Sequence, residues 1–228
     1  MQPTDSVIHK MQDYITTWKS CDDSRHIFLS CYEMMSANML QAIERQAFHD
    51  NRWVRQLLEL FADYYFESLD CYDCGKQTPK VWQEVHEKCK TNNFSDLQLL
   101  ILGVNAHINY DLVLTLYDIL NPEWEQLNDE QKSIRYKDHT HVNLIIGDTI
   151  DRVQDEILEP GHPSLQWIDT LMGRLDEFLI SKLISSWRED VWENAQKLLS
   201  LKKEKDRETF ILNLEKEVLL IDKRISTF

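Results

Sequence analysis

Apolar residues recur every three or four positions along most of the chain, which is the spacing of one face of an α-helix. No stretch shows the strict alternation of apolar and polar residues that is typical of a half-buried strand. The pattern therefore predicts an all-α fold, a bundle of about eight or nine helices. No linker rich in proline, glycine or serine divides residues 1–228, so we expect a single domain.

The stretch at residues 95–120 differs from the other helical stretches because its apolar residues surround the helix instead of forming one stripe. A helix that is apolar on all sides is usually buried. Ser95 is a favourable N-cap residue, and Pro122 cannot continue a helix. We therefore predict a buried central helix around which the bundle packs. Polar residues interrupt it too often for a membrane span.

The predicted central helix carries two polar pairs. His107 and Asp111 share one face, whereas Asn105 and Asn109 share nearly the opposite face. A histidine beside a carboxylate either binds a metal ion or acts as a general acid or base, and the asparagines would then orient a substrate. Alternatively, each pair belongs to a buried structural network. Gly103, one turn before His107, predicts the close approach of another helix or of a ligand.

A later helical stretch, at residues 138–158, adds candidate metal ligands, because Asp138 and His139 lie at or beside its apolar face. Capping of the helix start is the alternative role for Asp138. A divalent ion at the core would activate water or polarise a carbonyl group. We predict a site for zinc, iron or manganese built from His107, Asp111, Asp138 and His139.

Aromatic and polar residues on other helices are candidates for substrate binding. The third predicted helix carries Tyr64 and Tyr65 in a strongly aromatic face. Arg188 is suited to an anionic substrate group or to a core carboxylate. Tyr32 on the second helix is a further candidate for the lining of a site. The predicted substrate-binding residues are Tyr64, Tyr65, Asn143 and Arg188.

The central segment also resembles a known family. Residues 102–112 read LGVNAHINYDL, which resembles the signature of a bacterial family of helical proteins catalogued as a domain of unknown function. Residues 48–54 and 138–143 are similar to other parts of that family, and the resemblance runs from about residue 24 to residue 199. It implies a helical fold and a polar or metal site, with no activity attached. His139 stands where the family has an aromatic residue, so the resemblance does not carry a ligand role to it.

Composition narrows the range of partners. Lysine and arginine number 25 against 39 aspartates and glutamates, a formal net charge of −14. An acidic surface disfavours binding to nucleic acid or to an anionic membrane. The five cysteines are an odd number, and the N-terminal residues show no signal-peptide pattern. We expect a cytoplasmic protein with reduced thiols, a small-molecule substrate, and no nucleic-acid or membrane partner.

Three segments have predicted roles around this core. The polar stretch from Pro122 to Tyr136 is predicted to be a loop and a candidate lid. A further helix is predicted from Ser164, with a bend near Gly173. The amphipathic stretch at residues 206–226 is expected either to cap the bundle or to pair two subunits in a homodimer.

Three functional hypotheses follow. The first is an enzyme that acts on a small molecule through His107 and Asp111, as a metal-dependent hydrolase or as a metal-free acid–base catalyst. The second is a metal-free tailoring enzyme or cyclase with an aromatic pocket lined by Tyr64, Tyr65 and Trp53. The third is a non-catalytic binding or scaffold protein, in which the buried polar groups fix the register of the helices.

Overall fold

The structure is a computed structural model that describes residues 3–91, 93–157 and 177–227, and these residues form eight helices and no strand. The all-α prediction is confirmed. The helix predicted from Ser164, with its bend near Gly173, lies outside the described residues. The helices are α1 (Pro3–Ser20), α2 (His26–Glu44), α3 (Asn51–Asp73), α4 (Lys80–Cys89), α5 (Asp96–Leu120), α6 (Asp129–Ile157), α7 (Glu177–Ser200) and α8 (Glu204–Ile225).

Helix α5 forms the centre of the bundle. It packs against α2, α3, α4, α7 and α8, while α1 packs on α2 and α3, and α6 packs on α2 and α7. Leu102, Ala106, Val113 and Leu116 of α5 are fully buried. By length and composition α5 could also cross a membrane, but 72% of its most apolar window is buried inside the protein, as in a core helix. The predicted buried central helix is therefore confirmed.

Local side-chain caps start two of the core helices. The hydroxyl of Ser95 accepts from the amide of Gln98, and the Gln98 side chain accepts in return from the amide of Ser95. This reciprocal capping box satisfies two amides that the first turn of α5 leaves free. Asp50 caps α3 by accepting from the amide of Trp53 at 3.0 Å.

The middle of α5 is wound as a π-helix at His107–Asp111. The amide of Leu112 donates to the carbonyl of His107, five residues back, whereas an α-helix uses the carbonyl four residues back. The spacing of apolar residues predicts a regular α-helix here. A single widened turn hardly alters that spacing, so the sequence does not reveal it. Such π segments are rare and are frequent at functional sites, so this turn marks the place to search for chemistry.

The predicted lid is wrong over its second half, because α6 begins at Asp129 and runs through Tyr136. Asn128 caps this helix: its side chain accepts from the amide of Gln131, and the Gln131 side chain accepts from the amide of Asn128, both at 2.9 Å. Arg135 ties the segment to the N-cap of α3 through an ion pair of 2.7 Å. The first turns of α6 carry mostly polar side chains, so they lack the apolar stripe that identifies a helix in a sequence.

Candidate functional site

A buried histidine–aspartate pair lies in the π segment. The Nδ1 of His107 is 2.9 Å from Oδ2 of Asp111, and the two residues are 3% and 1% exposed. The indole N–H of Trp82, from α4, donates to both carboxyl oxygens, at 3.1 and 2.9 Å. Within the described residues no lysine or arginine forms an ion pair with Asp111. The carboxyl group is therefore held by one imidazole and one indole.

Burial shifts both groups of the pair towards their uncharged forms. It lowers the pKa of His107 well below 6.5 and raises the pKa of Asp111 well above 3.8, against a smaller opposing effect of the Trp82 hydrogen bond. Two groups in such contact titrate as a unit that shares protons. A proton can therefore move between the two side chains, or be accepted by the pair, without leaving an isolated charge in the core.

The other ring nitrogen of His107 has no hydrogen-bond partner among the described residues. Its Nε2 is buried and makes no hydrogen bond within the described part of the chain. Phe61 stacks on the imidazole with ring centroids 3.6 Å apart, and the rings of Tyr32 and Phe28 meet it at an angle. Leaving a buried polar atom unpaired costs about 1–3 kcal/mol, so native structures rarely retain one without a reason.

Gly103 makes room for this aromatic shell. A Cβ atom built on Gly103 would lie only 2.5 Å from Cγ of Phe28. The close approach predicted at this glycine is therefore made by the ring of Phe28, which in turn contacts the rings of Trp82 and His107.

The imidazole lies at the wall of a cavity of about 660 Å³ that is lined by the described residues of α2, α3, α5, α6, α7 and α8. Most of the wall is aliphatic or aromatic. Beside His107, the wall includes Tyr32 and Ser36, which are one turn apart on α2 and whose hydroxyls have no partner except each other among the described residues. His107, Tyr32 and Ser36 thus form a small polar patch in a wall that is mostly apolar. Its volume falls within the range of about 300–1,000 Å³ of small-molecule sites.

The structure separates Asn105 and Asn109 from the cavity. Asn109 donates to the side-chain oxygen of Asn105 at 2.7 Å, and Asn105 donates to Oδ1 of Asp222 at 2.7 Å and to the carbonyl of Val218 at 3.1 Å. These bonds tie α5 to α8. Asp222 was not predicted as part of this network, although a carboxylate beside the apolar stripe of an amphipathic helix indicates a buried polar contact.

The predicted four-residue metal site does not assemble. Asp138 accepts from the amides of His49 and Asp50, each at 2.8 Å, and so supports the start of α3. His139 donates from Nε2 to the carbonyl of Arg188 at 2.9 Å. Across residues 3–91, 93–157 and 177–227, no group of three histidine, cysteine or acidic side chains is placed to hold a metal ion. His107 and Asp111 bind each other, whereas Asp138 and His139 bind backbone groups of other helices, so the four side chains do not converge on one site.

Of the four predicted substrate-binding residues, some lie at the cavity and others lie away from it. Tyr64 donates to Asp118 at 2.7 Å and Tyr65 packs against Trp82, and neither lines the cavity. Arg188 does line it, and Asn143 holds Arg188 by accepting from its Nε at 2.7 Å. The aromatic wall is made of Phe28, Tyr32, Phe61 and Trp187. The sequence analysis also missed the role of Trp82, although a buried tryptophan needs an acceptor for its N–H.

The fold and the site define an all-α protein with a buried histidine–aspartate pair at the wall of an apolar cavity. The chain belongs to a family of unknown function, DUF5995, whose family model matches residues 4–228. This match extends beyond both ends of the resemblance seen at residues 24–199. No curated protein and no solved structure matches the chain.

Proposed function

We propose that the protein is an enzyme that binds a small, largely apolar molecule in the cavity and acts on it by metal-free acid–base chemistry. The residues that carry the chemistry are His107 and Asp111. The observation that supports the proposal is that His107 lines the cavity with its Nδ1 hydrogen-bonded to a buried carboxyl group and its Nε2 without a partner among the described residues.

The contacts of the pair assign a role to each group. In the tautomer whose Nδ1–H donates to the Asp111 carboxylate, Nε2 of His107 is the proton acceptor of the neutral ring. When Nε2 takes a proton from the substrate or from a water molecule, the carboxylate stabilises the imidazolium that forms. Trp82 keeps the carboxylate oriented. The low pKa of His107 keeps the ring neutral near pH 7, which is the form that a general base requires.

The hydroxyl of Tyr32 completes the polar patch. Its pKa is raised well above 10, first by burial and then by the charge of Asp111, so the hydroxyl stays protonated and can donate. The ring of Tyr32 lies 4.3 Å from the imidazole, centroid to centroid. A substrate oxygen held by this hydroxyl would therefore be close to His107. Proton abstraction next to a carbonyl and attack by an activated water are the two reaction types that this arrangement serves.

A non-catalytic carrier of the same molecule is the second candidate. The observation that favours it is the wall itself, which is apolar except for a few side chains. Both candidates predict binding in the cavity, and only the enzyme predicts that the bound molecule changes.

The experiment compares wild type with Asp111→Asn and His107→Gln. Each protein is incubated with a cell extract of small molecules, and mass spectrometry records which compounds bind and which are consumed. Asp111→Asn preserves the shape of the side chain but favours the wrong tautomer of His107, so we expect turnover to fall by about 10²–10⁴-fold while binding persists. His141→Gln is the matched control, because His141 lies against Phe48 and does not line the cavity.

Three outcomes are distinguishable. Compounds that wild type and His141→Gln consume, and that the two site variants do not, support the enzyme. Compounds that are bound but unchanged support the carrier and overturn the catalytic proposal. If no compound binds, both candidates are refuted and the pair is structural. Circular dichroism melting of every variant confirms that the compared proteins are folded.

A further inference from the structure

Arg188 is a buried guanidinium group that forms no ion pair with an acidic residue in the described part of the chain. The residue is 5% exposed. Its Nε donates to Asn143 at 2.7 Å, and its Nη2 donates to the carbonyl of His139 at 2.6 Å, so both partners are neutral. Within the described residues no carboxylate lies within ion-pair distance of it, and Nη1 makes no hydrogen bond. Burial lowers the pKa of Arg188 to about 10, against a smaller opposing effect of the charge of Glu189.

The position of Arg188 points to the missing counter-ion. Its side chain lines the same cavity as His107. The described lining contains two arginines, Arg188 and Arg224, and no aspartate or glutamate, although the chain carries 39 acidic residues. A buried charge is normally paired, because an unpaired one loses its hydration without compensation. The wall is therefore complementary to an anion.

We propose that the cavity binds an amphiphilic monocarboxylate, such as a fatty-acid-type molecule, with its carboxylate at Arg188 and its apolar part along the aliphatic wall. This inference rests on the proposed function and specifies its substrate class. Asn143 and His139 already occupy the Nε and Nη2 donors, so Nη1 is the donor left for the ligand. One free donor nitrogen suits a singly charged head group better than a phosphate dianion, which needs several donors.

The structural alternative is that Arg188 only joins α6 to α7 through Asn143 and His139. That role accounts for two donors and leaves unexplained why a charged group lies against an apolar cavity. Asn143 and His139 fix the guanidinium in place before any ligand arrives, which reduces the entropy lost on binding.

The test uses displacement of a neutral fluorescent probe, N-phenyl-1-naphthylamine, by two ligands of equal chain length, dodecanoate and dodecan-1-ol. In wild type we expect dodecanoate to bind at least about tenfold more tightly than dodecanol, the size of a charge-assisted hydrogen bond. Arg188→Met should remove this preference and leave the affinity for dodecanol unchanged. Arg188→Lys keeps the charge and should retain part of the preference, which provides a second variant if Arg188→Met does not fold.

Arg224→Met is the matched control, because Arg224 lines the cavity but is exposed. If Arg224→Met alone abolishes the preference, the assignment to Arg188 is overturned. Equal binding of acid and alcohol by wild type overturns the inference without any variant, and leaves the proposed chemistry at His107 standing. A third result is that wild type prefers dodecanoate but shows no turnover that depends on His107. This result supports the inference and rejects only the catalytic proposal. Failure of both ligands to displace the bound probe overturns the inference.

Discussion

The tight contact between Gly103 and Phe28 makes a sharp prediction for Gly103→Ala. The added Cβ would lie 2.5, 2.6 and 2.8 Å from Cγ, Cδ2 and Cβ of Phe28. Carbon atoms in contact normally lie about 3.5–4.0 Å apart, so either the ring or the α5 backbone must move by about 1 Å. The ring is itself confined by the rings of Tyr65, Trp82 and His107. We therefore expect overpacking instead of a simple gain in helix propensity.

The magnitude follows from two opposing effects. Replacing a glycine inside a helix by alanine stabilises it by about 1 kcal/mol. Overpacking a well-packed core costs about 1–3 kcal/mol, and the upper part of that range applies because Cβ and the ring base of Phe28 are the obstructing atoms. We expect Gly103→Ala to lower the free energy of unfolding by about 1–2 kcal/mol. Urea unfolding followed by circular dichroism gives this value from the shift in midpoint at constant slope.

Gly147→Ala on α6 is the matched control. There the new Cβ would meet only the hydroxyl oxygen of Ser181, at 3.7 Å, among the described residues. This variant should be stabilised by up to about 1 kcal/mol. Shortening the obstructing ring in the double variant Gly103→Ala, Phe28→Leu should recover part of the loss, as a non-additive term in a double-mutant cycle. Equal stability of Gly103→Ala and wild type would refute the steric reasoning.

Three further predictions concern buried polar groups. Burial lowers the pKa of His86 to about 3, so the unfolded chain binds the extra proton and stability falls as the pH drops below about 6.5. The loss is about 2 kcal/mol at pH 5, and His86→Leu should avoid it in urea unfolding at pH 7 and pH 5. Burial raises the pKa of Asp222 to about 6, so stability is lost as the pH rises through about 4–6. Asp222→Asn should therefore be more stable than wild type at pH 7, by up to about 3 kcal/mol, and the difference should shrink towards pH 5. Trp82→Phe removes the donor to Asp111 and should cost about 1–3 kcal/mol in the same assay.

Each of these predictions has its own contrary result. Wild type and His86→Leu share every other buried histidine. If both proteins lose the same free energy of unfolding between pH 7 and pH 5, His86 is not the responsible group. A variant Asp222→Asn that is less stable at both pH values would mean that the carboxylate is stabilised in its charged form. Unchanged stability of Trp82→Phe would mean that water replaces the indole at Asp111.

Local chemistry explains which parts of the fold could be predicted. The capping box of Ser95 and Gln98 and the cap of Asp50 act within one helical turn, so the residues that make them are neighbours in the chain. The burial of α5 followed from apolar residues on all of its sides. The pairing of His107 with Asp111 also followed from a spacing of four residues.

The sequence could not show what each polar group meets across the bundle. Asp138 was predicted as a metal ligand, yet it holds the start of α3, because helix packing brings it to amides that are far away in the chain. Trp82 and Asp111 meet only when α4 packs on α5.

The amino-acid sequence by itself determined most of the helices, the cap at Ser95, the buried centre and the spacing of the histidine–aspartate pair, since all of these depend on residues a few positions apart. The tertiary structure decided the cavity and, among the described residues, left Nε2 of His107 without a partner and Arg188 without an ion pair. A cavity is the space that packing leaves unfilled, and an unpaired atom is defined by the partners that do not reach it. Both depend on the relative placement of six helices, which no local spacing encodes.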